Sequence, residues 1–277
     1  MSVAAAIGEG RIGSRLWMYA NYHCNLRCSY CLTESGPGVL RRQLGRGAMI
    51  ERALEARELG FTGLGITGGE PFLLDDMPER LAELAQILPV VVLSNGTLFH
   101  GRRLAALDSL RGLPVEVQIS LDSAEPDEND EMRGPENFAK VVAAIPELLA
   151  RGIGVRIATT LNDPDAYPRA AMDRLCALHR GLGVSDAHHV VRPIVRRGRA
   201  ATGDMGVVAG FDELEPELTL TADGAFASPF GPTIRDGRLD TDLLVSRTTA
   251  PVAFPAALLA RAAGAHAPGS DARLGIR

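Results

Sequence analysis

The sequence predicts an α/β fold of βα units around a parallel sheet. Strand-like apolar runs alternate along the chain with helix-like stretches, the pattern such units leave in a sequence. The glycine- and cysteine-bearing motifs fall at the ends of those runs, where barrel enzymes keep their chemistry. A chain of 277 residues, 46% apolar, can bury a full core as one domain.

The elements follow in order. Strand-like runs lie at 16–21, 63–67, 90–94, 115–121, 154–161 and 188–194. Helix-like stretches lie at 49–59, 78–88, 102–110, 137–149 and 165–182. In the first of these, Ile50, Ala53 and Leu54 suit one apolar face and Gly60 a C-terminal stop. Pro146 interrupts the fourth and predicts a kink or a split. Past Arg199, residues 219–226 alternate polar and apolar types around a turn, as a short hairpin does, and a second turn follows at Arg235-Asp236-Gly237. From about residue 250 the chain is rich in alanine, glycine and proline, predicting one short helix near 255–263 and then a fraying end.

Cysteines carry the chemistry. Cys24, Cys28 and Cys31 form a C-x3-C-x2-C run with Tyr30 just before the last. A 4Fe–4S cluster normally takes four thiolates, so three leave one iron open to a substrate or cofactor. The fourth cysteine, Cys176, is distant and reads as a small core residue on a helix. Structural zinc is the alternative, but it asks for four ligands, and His23 directly precedes Cys24.

A second motif, Gly68-Gly69-Glu70-Pro71, ends the second apolar run. Glycines there let backbone approach a ligand closely, and Glu70 adds an acceptor. A carbonyl-rich, acidic loop suits a positively charged amino group, although a plain strand-to-helix turn reads the same way.

With both motifs in place, the chain resembles the radical S-adenosylmethionine (radical SAM) family over residues 16–199. The resemblance implies an open, partial (β/α)6 TIM-like barrel with a small C-terminal β-hairpin extension. It implies one [4Fe-4S] cluster on Cys24, Cys28 and Cys31, and S-adenosyl-L-methionine as the second cofactor. In that family the cofactor's amino and carboxylate groups chelate the open iron. An electron from the cluster then gives methionine and a 5′-deoxyadenosyl radical, which abstracts hydrogen from a small-molecule or peptide substrate. A reducing donor such as flavodoxin or ferredoxin is implied as partner.

By resemblance, Gly68, Gly69, Glu70 and Pro71 hold the cofactor's methionine amino group, with Tyr30 beside the cluster. Ser94 and Asn95 belong to a turn lining the cofactor site, or serve the turn alone. Ser120 touches the carboxylate or ribose, while Asp122 joins it or caps the next segment. Arg133 pairs with the methionine carboxylate, for which a guanidinium fork is suited, or lies on the surface. The residue that completes the reaction is not named by any motif.

Other residues take plainer roles. His188 and His189 open the sixth run, away from the chemistry. Arg192, Arg196, Arg197 and Arg199 form a basic stretch that meets an acidic substrate or lies in solvent. A net charge of −5 suggests no nucleic-acid partner. No apolar run is long enough for a membrane span, residues 1–14 lack a signal-peptide core, and free thiols suit the cytoplasm.

The expected domains are an N-terminal segment (1–14), a radical SAM core (15–205), a short extension (206–250) and a flexible tail (251–277). The hairpin echoes the cluster-binding extensions called SPASM or twitch, yet no cysteine follows Cys176. Redox-neutral outcomes are therefore expected over net oxidation, in specialised-metabolite or peptide modification. The reading from another class is a non-catalytic iron–sulfur sensor or scaffold, which would not need the Gly68-Gly69-Glu70-Pro71 loop.

Overall fold

A computed structural model describes residues 2–235, 238–263 and 274. Helix α1 (Val3–Gly8) precedes β1 (Arg15–Asn21). There follow α2 (Arg46–Glu58), β2 (Gly63–Gly68), α3 (Met77–Ala85), β3 (Val90–Ser94), α4 (Gly101–Ala106) and β4 (Val115–Ser120). The next units are α5 (Pro126–Arg133), α6 (Asn137–Ala150), β5 (Gly154–Leu161), α7 (Arg169–Gly181), β6 (His189–Pro193) and α8 (Arg199–Thr202). Short strands β7 (Thr219–Leu220), β8 (Ala225–Phe226), β9 (Ile234–Arg235), β10 (Arg238–Leu239) and β11 (Leu244–Ser246) lead to α9 (Ala253–Ala263).

Strands β1 to β6 pair in sequence order, every neighbour parallel. On the other side of β1 lie β7, then β8 and β11, giving nine strands in one sheet. The sheet ends at β6 and β11 and does not close. The open, partial barrel expected from the sequence is therefore the fold.

Alternation along β1 sets the two layers. Leu16, Met18 and Ala20 join Met49, Ala53 and Ile66 in the core under the helices. Trp17, between them, turns inward onto Phe226 and Phe230, and Tyr19 and Tyr22 form a third apolar group. Burying one such side chain contributes about 1.5–3 kcal/mol. Gly65 faces Trp17 across the pair, where a Cβ would lie 2.2 Å from the indole.

Three local expectations differ from the structure. Pro146 leaves α6 continuous; it lies on the exposed face, where water can serve the carbonyl it leaves without a partner. The stretch 102–110 divides into α4 and a 3-10 turn, Leu107–Leu110. The acidic segment after β4 forms α5, a helix that apolar periodicity did not announce. The hairpin at 219–226 forms as β7 and β8 and adds to the core sheet through β1. Of the second turn, Asp236 and Gly237 lie outside the described residues, flanked by antiparallel β9 and β10. Residues 253–263 form α9, buried through Pro255, Ala256, Leu259, Ala260 and Ala263. Of the expected flexible tail, residues 264–273 and 275–277 lie outside the described residues.

Candidate functional site

The C-terminal ends of the core strands open into one cavity. It is lined by Cys24, Cys28, Tyr30, Cys31, Gly68, Gly69, Ser94, Asn95, Ser120 and Arg133, which the sequence singled out. Glu70, Pro71 and Asp122 stand behind that wall, all buried.

Glu70 joins the ends of β2 and β3. Its carboxylate accepts from Phe72 N (3.1 Å), Ser94 Oγ (2.9 Å) and Asn95 N (2.8 Å). Burial pushes this acid up to about 7, against the pull of those three donors and of Arg133. Its backbone N–H donates to His23 O, and its carbonyl accepts from the Asn21 amide at 2.8 Å. The loop is thereby fastened to the exit of β1, the segment that carries Cys24.

The two glycines have a packing reason. A Cβ at Gly69 would lie 2.1 Å from the His23 carbonyl oxygen, and one at Gly68 2.3 Å from that of Asn21. Gly68 also has φ +141°, which side chains rarely adopt. Close approach is real here, but it is between β2's exit and β1's exit, before any ligand is considered.

Asp122 ties four segments. Its Oδ2 accepts from Tyr30 OH (2.5 Å) and Arg133 Nη1 (3.1 Å), and its Oδ1 from Thr160 N (2.9 Å). Arg133 Nη1 also donates to Tyr30 OH, over whose ring the guanidinium sits. The Asp122–Arg133 pair is deeply buried, at 0% and 6% side-chain exposure. Asp122 is thus no cap: the α5 N-cap is Glu125, without a side-chain bond. Nor is Arg133 on the surface.

The cysteine loop rests on this frame. Ser29 N donates to Met132 O at 2.8 Å, docking the loop on the end of α5. Cys24 Sγ accepts from Leu26 N (3.3 Å) and faces the Asn95 amide (3.7 Å). Cys28 Sγ lies 3.7 Å from the Arg133 carbonyl, and Cys31 Sγ 3.2 Å from Thr33 Oγ1. Burial pushes the Cys24 thiol up to about 12, with Glu70 adding to it, and burial also raises Cys28. Thiolates there need a bound cation to offset the cost.

The donor set fits an iron–sulfur cube. Among the described residues no three His, Cys, Asp or Glu side chains are placed to hold a single ion. A cube instead takes each thiolate on a different iron, and all three thiols border one cavity.

Arg199, expected in a basic stretch that meets an acidic substrate or lies in solvent, instead braces the cysteine loop. Its guanidinium donates to Cys28 O (2.8 Å) and Ser35 O (2.7 Å), and its N–H to Cys31 O (3.1 Å). Gly198 makes room, since a Cβ there would lie 2.3 Å from Leu32 O. Nothing in a run of arginines distinguishes Arg199, except the glycine before it. Arg196 pairs with Asp204, and Arg197 with Asp242. Cys176 is half-buried on α7, not a core residue; it lies 3.8 Å from His189 Nδ1. His189 Nε2 meets Thr159 Oγ1 at 2.9 Å.

Comparison with known proteins agrees. The model of the radical SAM superfamily matches residues 18–175, more than half the chain. The mycofactocin maturase MftC of Mycobacterium tuberculosis is 35% identical over 226 residues, covering 76% of this chain and 54% of its own. A probable GTP 3′,8-cyclase of Archaeoglobus fulgidus is 31% identical over 147 residues, covering 52% and 47%. Among solved structures, anSMEcpe with bound AdoMet has TM-score 0.59 at 13% identity, covering 87% of this chain and 80% of its own. Streptococcus suis SuiB bound to S-adenosylmethionine has TM-score 0.56 at 17% identity, covering 69% and 43%.

An open parallel barrel with a three-cysteine loop at its mouth defines the class. The chain belongs to the radical SAM superfamily, whose members use a [4Fe-4S] cluster and S-adenosylmethionine. It spans about half the length of the curated relatives it matches, or less.

Proposed function

We propose that this chain is a radical SAM enzyme that abstracts hydrogen from a small-molecule or peptide substrate. One observation carries the reading: the cysteine loop, the Gly68-Gly69 turn and the buried Asp122–Tyr30–Arg133 network meet in one cavity. When bound, the cluster and S-adenosylmethionine supply one-electron cleavage of the sulfonium to a 5′-deoxyadenosyl radical.

The chain's own residues hold and orient. Cys24, Cys28 and Cys31 hold the cluster, and Arg199 keeps their loop in register. Carbonyls at Gly68 and Gly69 meet the amino group, while Glu70 sets the turn from behind. Ser94, Asn95 and Ser120 supply polar contacts along the cofactor. Arg133, braced by Asp122 and Tyr30, presents guanidinium N–H donors to the cofactor's carboxylate. Tyr19, fixed by its bond to Pro229 O (2.5 Å), and Phe230 help close the cavity against water. A reductant such as flavodoxin or ferredoxin supplies the electron.

Two relatives differ in their named activities, a cyclase of GTP and a mycofactocin maturase, so family membership leaves the substrate open. Iron and sulfide quantitation on anaerobically reconstituted protein tests the cofactor reading, with S-adenosylmethionine binding measured beside it. About four irons per chain, and none in the Cys24→Ala/Cys28→Ala/Cys31→Ala variant, is expected. Clearly more iron would contradict the single-cluster reading, and zinc in its place would contradict the reading entirely.

A further inference from the structure

Three arginines line the cavity: Arg133, Arg192 and Arg199. Arg133 is neutralised by Asp122. Arg199 spends its guanidinium donors on the carbonyls of Cys28 and Ser35. Arg192 differs. It stands near the end of β6, in register with Thr160 of β5, and among the described residues no carboxylate pairs with it. Its Nη1 is buried without a hydrogen-bond partner. Burial also pulls its pKa below the ordinary arginine value.

Arg192 as a whole is half-buried, but a buried donor left idle at its tip is costly in a folded protein unless a partner arrives. Here the missing partner is an anion, and the cavity is the open route to it. Ser120 and Thr160, which also line the cavity, offer hydroxyls without a side-chain bond among the described residues. One free guanidinium matches one negative charge, and its planar fork matches a carboxylate.

Resting on the reading of the cavity as a radical SAM site, we propose that Arg192 recognises a carboxylate carried by the substrate. The substrate class is accordingly a carboxylic acid: an amino-acid or peptide terminus, an acidic side chain, or an acidic small molecule. Arg192 is a specificity residue, distinct from the groups that hold the cofactor.

The test uses reconstituted holoenzyme saturated with S-adenosylhomocysteine, so that the cofactor's own carboxylate position is filled. Binding of hippurate and of a tetra-alanine peptide is measured against their amides, by calorimetry or ligand-observed NMR. The acids should bind at least about tenfold tighter than the amides, the scale of a charge-assisted hydrogen bond. Arg192→Gln should abolish that preference, and Arg192→Lys should restore part of it. S-adenosylhomocysteine affinity should stay within about threefold in both variants, well below the tenfold step, with cluster absorbance unchanged.

The proposal is overturned if acids and amides bind the wild type alike, or if Arg192→Gln keeps the acid preference. It is also overturned if the substitution weakens S-adenosylhomocysteine by about tenfold or more, because Arg192 then serves the cofactor. Release of 5′-deoxyadenosine from S-adenosylmethionine is read separately. Cofactor cleavage without acid preference sinks this inference alone, and absence of cleavage sinks the reading beneath it.

Discussion

Replacing Gly69 by alanine separates two reasons for a glycine in this loop. In the structure the residue is needed because the backbone of β1's exit passes against it. A Cβ would lie 2.1 Å from His23 O, 2.5 Å from His23 C and 2.7 Å from Tyr22 O. All three are backbone atoms, so no side chain can swing away. Bringing the shortest contact to 3.0 Å requires a shift of about 0.9 Å, in the residues just before Cys24. Gly69 does not carry the left-handed backbone that burdens Gly68, so the cost is steric alone. Overpacking of this kind typically costs about 1–3 kcal/mol. At a urea slope of about 2 kcal/mol per molar, the midpoint of the cluster-free protein falls by about 0.5–1.5 M. Because the strain moves Cys24, iron bound after reconstitution falls too. Wild-type stability and iron content in Gly69→Ala would refute the packing argument and leave close approach to the cofactor as the only reason for the glycine.

Three further outcomes follow from the same geometry. Arg199→Met removes two charge-assisted bonds to the cysteine loop, each worth about 1.5–3 kcal/mol; iron content should drop while circular dichroism holds, and Arg199→Lys should recover part. Asp122→Asn leaves Arg133 buried without its counter-charge, a loss of about 3–5 kcal/mol, read as a lowered urea midpoint; an unchanged midpoint would show the pair to be dispensable. In cluster-free protein, burial holds Glu70 at about 7, above its unfolded value of about 4.3. The folded state therefore keeps the proton longer, and this stability is full below the unfolded value and is lost as pH rises toward about 7. Glu70→Gln should remove that slope from urea midpoints taken across the window; an identical slope in the variant would rule the residue out.

Much of this was legible in advance, for physical reasons. Parallel strands read as apolar runs, so all six core strands stood out, including β6, which is only half-buried. The cysteine spacing pointed to a cluster because few chemistries need three thiolates in eight residues. What escaped notice depends on contacts distant in sequence. Arg199 reaches Cys28 across 171 positions, and no local pattern marks that. Helix α5 was missed because it is charged almost throughout, burying only Asn129 and Arg133. Pro146 misled because a helix tolerates proline where the freed carbonyl meets water. Asp122 suggested a cap from its place in sequence, whereas its partners lie on three other segments.

The most direct test of the central claim is anaerobic. Reconstituted, reduced protein is mixed with S-adenosylmethionine, and 5′-deoxyadenosine is quantified by mass spectrometry beside the Cys24→Ala/Cys28→Ala/Cys31→Ala variant. The account predicts product from the wild type and none from the variant. A cluster that forms and binds the cofactor yet never cleaves it, with candidate acids present or absent, would contradict the account and favour a sensor or scaffold.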